Sequence, residues 1–202
     1  MQPTTYVRRL AAAGAVAITL LAAPAAAAPV AGTGHGTYAR LHPLADLSAR
    51  RLATADLVAA AKRGTGSSVD DPAREQQVLD SVARQARQAR EAGGDPGATV
   101  RIFRDQIEAN KQVQRALHSR WDTDASAAPK ERPDLEQVRE AINRVNADLV
   151  HAIAHSPAAR AAPSCAAALT AAERRVRHER QLDGVHATAL THALRAVCAT
   201  GL

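Results

Sequence analysis

Along residues 44 to 62 the apolar positions Leu44, Leu47, Ala55 and Val58 step by threes and fours, and Arg51 and Lys62 stand in the same stripe. That spacing predicts a helix with one inward face, because side chains three or four apart lie above one another. A second stripe, Val100, Phe103, Ile107, Asn110 and Gln114, has the same period, and Leu135, Arg139, Ile142, Asn146 and Leu149 make another. Between them Arg74 and Glu75 open a stripe that Val78 and Val82 continue. In all four, charged or amide groups occupy positions that the period turns towards a core. Arg51 and Lys62 lie 11 residues apart, about three turns, so they project from nearly the same face. Buried charge is costly unless something pairs with it. A cationic cavity between helices therefore implies an acidic occupant, either protein carboxylates or a bound anion.

Helices are predicted near 43 to 63, 71 to 92, 95 to 121, 134 to 156, 164 to 181 and 184 to 200. Ala, Leu, Arg, Gln and Glu dominate these stretches, and no alternating β-branched run reaches strand length. Asp70, Asp71 and Pro72 read as a helix start, with carboxylates at the positive end of the dipole and Pro in the first turn. Gly93, Gly94, Asp95 and Pro96 make a turn, Asp122 to Pro133 a polar loop, and Pro157 and Pro163 close the fourth helix. The expected fold is all-α, a bundle of about six helices with the site enclosed between them. Its organisation reads as a leader over 1–28, a flexible segment over 29–42, a helical domain carrying the site over 43–156, and a C-terminal helical extension over 157–202 packed on the same domain.

Arg8 and Arg9, the apolar run Leu10 to Leu21 and the small residues Ala25 to Ala28 have the form of a secretory leader cleaved near Ala26 to Ala28. The mature protein is thus expected outside the cytoplasm, periplasmic or extracellular. The apolar run, about 12 residues, is too short to span a bilayer, so no membrane association is expected after cleavage. Cys165 and Cys198 are the only cysteines. An oxidising compartment favours pairing them, and without a Cys-x-x-Cys a structural staple is the simplest reading. Cys165 opens one expected helix and Cys198 closes the next, so an antiparallel hairpin capping the bundle would bring them together.

A net charge of +6 and a pI near 10.1 would suit a binder of nucleic acid or anionic polymer. Aromatics are only 2% of the chain, however, so stacking platforms are scarce and no nucleic-acid partner is expected. Arg84, Arg87 and Arg90, and the run Arg174, Arg175, Arg177, His178 and Arg180, read as solvated basic faces. His151 and His155 have the spacing of metal ligands but no Glu-bearing motif between them, so they read as surface residues and no metal is expected. Trp121, before a loop, reads as a packing anchor.

The inward polar set defines the chemistry. Arg51, Arg74, Arg139 and Lys62 suit a ligand with more than one carboxylate, since guanidinium matches carboxylate in a bidentate fork and ammonium acts as a point charge. Glu75 can accept from a ligand hydroxyl, and Gln114 can donate to an ether or carbonyl oxygen without titrating. With no nucleophile beside a base, such a site acts by orientation and electrostatic stabilisation of developing charge.

The run Asp71-Pro-Ala-Arg74-Glu75, followed by Phe103 to Asn110 and Gln114, with Arg51 and Lys62 upstream, resembles the all-helical chorismate mutases. The leader and the Cys165 to Cys198 extension make it similar to their secreted subclass, over about residues 43 to 200. The resemblance implies a cofactor-free pericyclic conversion of chorismate to prephenate in a homodimer whose active sites each lie within one protomer. By the same resemblance, Arg51 and Arg139 grip the two carboxylates, with Arg74 assisting. Lys62 and Gln114 bond the ether oxygen, and Glu75 takes the C4 hydroxyl beside the backbone near Asp71. Asn110 sits near the ring carboxylate, where the family form is Ser or Thr. A secreted helical protein binding a dicarboxylate without turnover is the alternative reading.

Overall fold

The structure is a computed structural model that describes residues 32–198, with side chains from residue 35. The expected leader lies outside the described residues. Among the described residues seven α-helices follow one another: α1 (Gly32–Lys62), α2 (Pro72–Gln88), α3 (Pro96–Thr123), α4 (Leu135–Ala154), α5 (Pro157–Ala161), α6 (Cys165–Glu179) and α7 (Gly184–Ala193). Single 3₁₀ turns follow α2 and α3, at Arg90–Ala92 and Ala125–Ala127. The described residues contain no strand, so the all-α class holds.

Helix α1 is the centre of the bundle and packs against α3, α4 and α6, while α2 lies across α3 and α4. Its start differs from the expectation. Rather than a flexible segment up to residue 42, the backbone is helical from Gly32 and passes through Pro43. An internal proline removes a helix hydrogen bond and costs about 3 kcal/mol in isolation. Burial offsets this: Leu41, Leu44 and Ala45 on either side of Pro43 are fully enclosed. Local signals marked a helix start at the proline, and tertiary packing overrode them.

The cores of α1, α3 and α4 meet in one apolar cluster that includes Leu44, Leu52, Phe103, Ile107, Leu149 and Ile153. Helices α2, α3 and α4 are capped by their own sequence. Asp71, Asp95 and Asp134 accept from backbone N–H groups in the first turns of α2, α3 and α4, satisfying donors that the helix leaves unpaired. Between α2 and α3 the chain turns at Gly93, whose φ of 90° favours glycine, and at Gly94, where a Cβ would fall 2.2 Å from the Ala86 carbonyl oxygen.

The C-terminal extension is not a cap. Helix α6 lies along α1 and α7 along α3, and they touch each other only slightly. Ala172, Val176, Leu190 and Ala193 belong to the same core cluster as Phe103. Helix α7 also ends at Ala193 rather than near 200, and turns carry the chain to Cys198. The Cys165–Cys198 disulfide is formed, with the Cα atoms 5.8 Å apart, pinning the start of α6 to those turns.

Trp121 is buried beside Ala59, Ala60 and Ala128, as a packing anchor should be. The His151 and His155 rings stack with centroids 3.9 Å apart. In the basic run, Arg175 and Arg177 pair with Glu179 and Glu173, and Arg180 reaches Asp46 on α1. Among the described residues no helix is long and apolar enough to cross a membrane.

Candidate active site

The C-terminal half of α1, the first turns of α2, the second half of α3 and the start of α4 enclose a cavity of about 670 Å³, mouth included. All eight polar side chains singled out above line it: Arg51, Lys62, Asp71, Arg74, Glu75, Asn110, Gln114 and Arg139. Val58, Val69, Val78, Ile107, Leu135 and Ile142 supply its apolar wall. Helical periodicity explains the direction of seven of them, each continuing a stripe whose apolar members form the core beneath, while Asp71 reaches the wall from the cap of α2.

Arg51 is 4% exposed. Its Nε donates to Asn146 Oδ1 at 2.9 Å and its Nη1 to the Gln106 carbonyl at 2.7 Å. The guanidinium also lies over the Phe103 ring, 5.9 Å from the centroid. Desolvation lowers its pKa to about 10, which leaves it cationic at neutral pH. Lys62, at the end of α1, donates from Nζ to the Ser68 carbonyl at 2.6 Å and lies 3.5 Å from that of Val69. Burial lowers its pKa, with nearby Arg139 acting in the same direction and Asp71 opposing.

Asp71 caps α2 by accepting from the Arg74 backbone N–H at 3.0 Å, so its side chain serves the helix while lining the cavity. Arg74 is half-buried and reaches Gln77. Asn110 and Gln114 form a relay on α3. Asn110 donates to the Arg51 carbonyl at 3.3 Å and accepts from Gln114 Nε2 at 2.8 Å, which leaves Gln114 Oε1 buried without a partner. Arg139 pairs with Glu136, one turn back on α4.

Lys111 completes the wall and was missed. Its ammonium meets Glu108 at 2.7 Å, Asp70 at 3.0 Å and Glu75 at 3.1 Å. Burial alone would lower its pKa, yet hydrogen bonds to those three carboxylates hold it above the ordinary lysine value. Along the sequence, Glu108 and Lys111 look like a solvated i,i+3 pair; only the approach of α2 brings in Asp70 and Glu75. Asn146 carried a sequence signal, standing in the stripe of the fourth helix, but its partner Arg51 is 95 residues away.

The lining holds five cations against two carboxylates, and no Ser, Thr, Cys or His. It can therefore bind and orient a polyanion and stabilise charge, with no nucleophile of the usual kind to form a covalent intermediate.

The chain is similar to known proteins. The family of type II chorismate mutases matches residues 43–115. A secreted chorismate mutase of Mycolicibacterium smegmatis is 38% identical over 170 residues, covering 83% of this chain and 92% of that protein. One from Mycobacterium tuberculosis is 35% identical over 179 residues, 89% of this chain and 88% of that protein. The crystal structure of a chorismate mutase from Burkholderia phymatum superposes with a TM-score of 0.74 at 32% identity, covering 82% of this chain and 99% of that one.

Proposed function

We propose, from the premise that this chain belongs to the chorismate mutase family, that the cavity between α1, α2, α3 and α4 is its active site. The protein is an exported chorismate mutase, an isomerase that converts chorismate to prephenate. The observation that carries the site assignment is the convergence of all eight candidate residues, drawn from four helices, on one cationic cavity.

The reaction is unimolecular: an ether C–O bond breaks as a C–C bond forms. The site has to hold a dianion in a compact, reactive conformation and favour the negative charge that grows on the ether oxygen. Arg51 and Arg139 take the two carboxylates, with Arg74 assisting. For Arg139 this means exchanging its exposed partner Glu136 for the substrate. Lys62 and the free N–H of Gln114 donate to the ether oxygen, where each contact strengthens towards the transition state. Glu75, beside Lys111, accepts from the C4 hydroxyl together with the backbone near Asp71. Asn110 already spends its carboxamide on Arg51 and Gln114, so its part near the ring carboxylate is chiefly to aim Gln114.

A homodimer with an active site within each protomer follows from the family reading alone; light scattering on the purified protein measures the mass. Export points to the periplasm or the extracellular space, after cleavage near Ala26 to Ala28. Mixing mature protein with chorismate and following prephenate formation tests the function. A rate equal to the uncatalysed one would overturn it, and binding of a bicyclic ether analogue without turnover would favour the silent dicarboxylate binder.

A further inference from the structure

Arg51 is held by neutral groups on every side the protein supplies. Its two side-chain hydrogen bonds go to the Asn146 carboxamide and the Gln106 backbone carbonyl, and among the described residues it forms no ion pair. Nε of arginine can only donate, so the Asn146 atom facing it has to be the oxygen. Asn146 is 3% exposed and sits seven residues beyond Arg139 on α4, about two turns along the same face. It lines a polar cleft between α2 and α4 whose wall shares Arg74 and Val78 with the active-site cavity. Asn146 thus stands between the two, behind the guanidinium.

The ordinary partner for a buried guanidinium is a carboxylate, which satisfies its hydrogen bonds and its charge together. Aspartate has nearly the shape of asparagine, so geometry alone does not account for a neutral residue here. Charge does. A carboxylate against Nε would give Arg51 an internal counter-ion, and an anionic substrate would gain little by approaching it. A carboxamide oxygen directs the fork and leaves the positive charge for the ligand to neutralise.

We infer that Asn146 is a positioning residue for substrate recognition, whose neutral oxygen aims Arg51 at a substrate carboxylate while denying it a protein counter-charge. The inference rests on the chorismate reading of the cavity and adds a requirement on the residue behind it. The lowered pKa of Arg51, caused by burial, is consistent with a cation awaiting an anion.

Wild type, Asn146→Asp and Asn146→Ser are compared for KM, kcat, melting temperature and the affinity for a bicyclic ether transition-state analogue by calorimetry. Asn146→Asp supplies a counter-ion, so it should melt at or above wild type while KM and the analogue Kd weaken about tenfold or more, with kcat within about threefold. Asn146→Ser shortens the side chain, drawing the acceptor back from Nε, but keeps the free charge. It should melt lower and yet bind better than Asn146→Asp. Opposite orders of stability and affinity are the signature of positioning by charge. An Asn146→Asp protein that binds like wild type, or affinity that follows melting temperature across the series, overturns the inference. Should Asn146→Asp fail to fold, an unchanged KM in Asn146→Ser does the same. Wild type with neither turnover nor analogue binding overturns the functional reading itself, whereas an active wild type with an indifferent Asn146→Asp overturns only this step.

Discussion

Lys62 holds its ammonium against the Ser68 carbonyl at the edge of the cavity, so its removal takes a donor from the site without emptying the core. Lys62→Ala should lower kcat about a hundredfold to a thousandfold, the scale of losing an oxyanion-type donor, with a smaller effect on KM. Steady-state kinetics on chorismate check this. Burial and Arg139 depress the Lys62 pKa, so wild-type activity should fall on the alkaline side before an ordinary lysine would lose its proton. Gln114 makes a different demand because it is neutral. Gln114→Glu places a carboxylate beside Asn110 and the breaking bond, and only its protonated form can donate to the ether oxygen. The variant should weaken near neutral pH and recover as pH falls; a profile matching wild type would remove Gln114 from the reaction.

Among the helices, α7 is tied to α1 through a titratable contact. His186, in the first turn of α7, lies 3.1 Å from Asp56 on α1 and 2.9 Å from Asp183, the cap of its own helix. The hydrogen bond to Asp56 does most to raise its pKa from 6.5 to about 9, with Asp183 assisting and burial opposing. The folded state therefore binds a proton more tightly than the unfolded chain. The stability gained is fully present below about pH 6.5 and is lost as pH rises through about 9. Melting temperatures of wild type and His186→Gln should differ most at the acid end of that window and converge above it. Lys111 plays the matching part between α2 and α3, through Glu75 and Asp70. Lys111→Met should cost about 1–2 kcal/mol in urea unfolding, discounted for the partly exposed partners, because Glu75 loses its counter-ion.

For the molecule as a whole, the disulfide and the helices it joins contribute separately. Reducing Cys165–Cys198, 33 residues apart, removes a constraint on the unfolded chain of about 3–4 kcal/mol in the chain-entropy model. It leaves the native contacts in place. Melting temperature should fall while turnover at room temperature persists, and thiol-reactive mass tagging should find no free thiol before reduction. Deleting residues 157–202 is a different matter. It would uncover the sides of α1 and α3 that α6 and α7 bury. A cap could be lost and leave a folded bundle; this truncation should give no cooperative unfolding transition by circular dichroism.

The sequence by itself determined the helical class, the inward stripes and the seven polar residues on them that reach one cavity, because a 3.6-residue period ties position along the chain to direction in space. It also carried the cysteine pair, which compartment and number make simple. Tertiary structure alone decided where α1 begins, since the burial of Leu41 and Leu44 outweighs the local effect of Pro43. It decided that α6 and α7 join the core instead of pairing with each other, because an amphipathic helix buries its apolar face without specifying the neighbour that covers it. The partners of Arg51 and Lys111 belong to the same kind: Asn146 stands 95 residues from Arg51, and Glu75 stands 36 from Lys111. Local periodicity aims a side chain at the core, but which group it meets there depends on how separate helices pack.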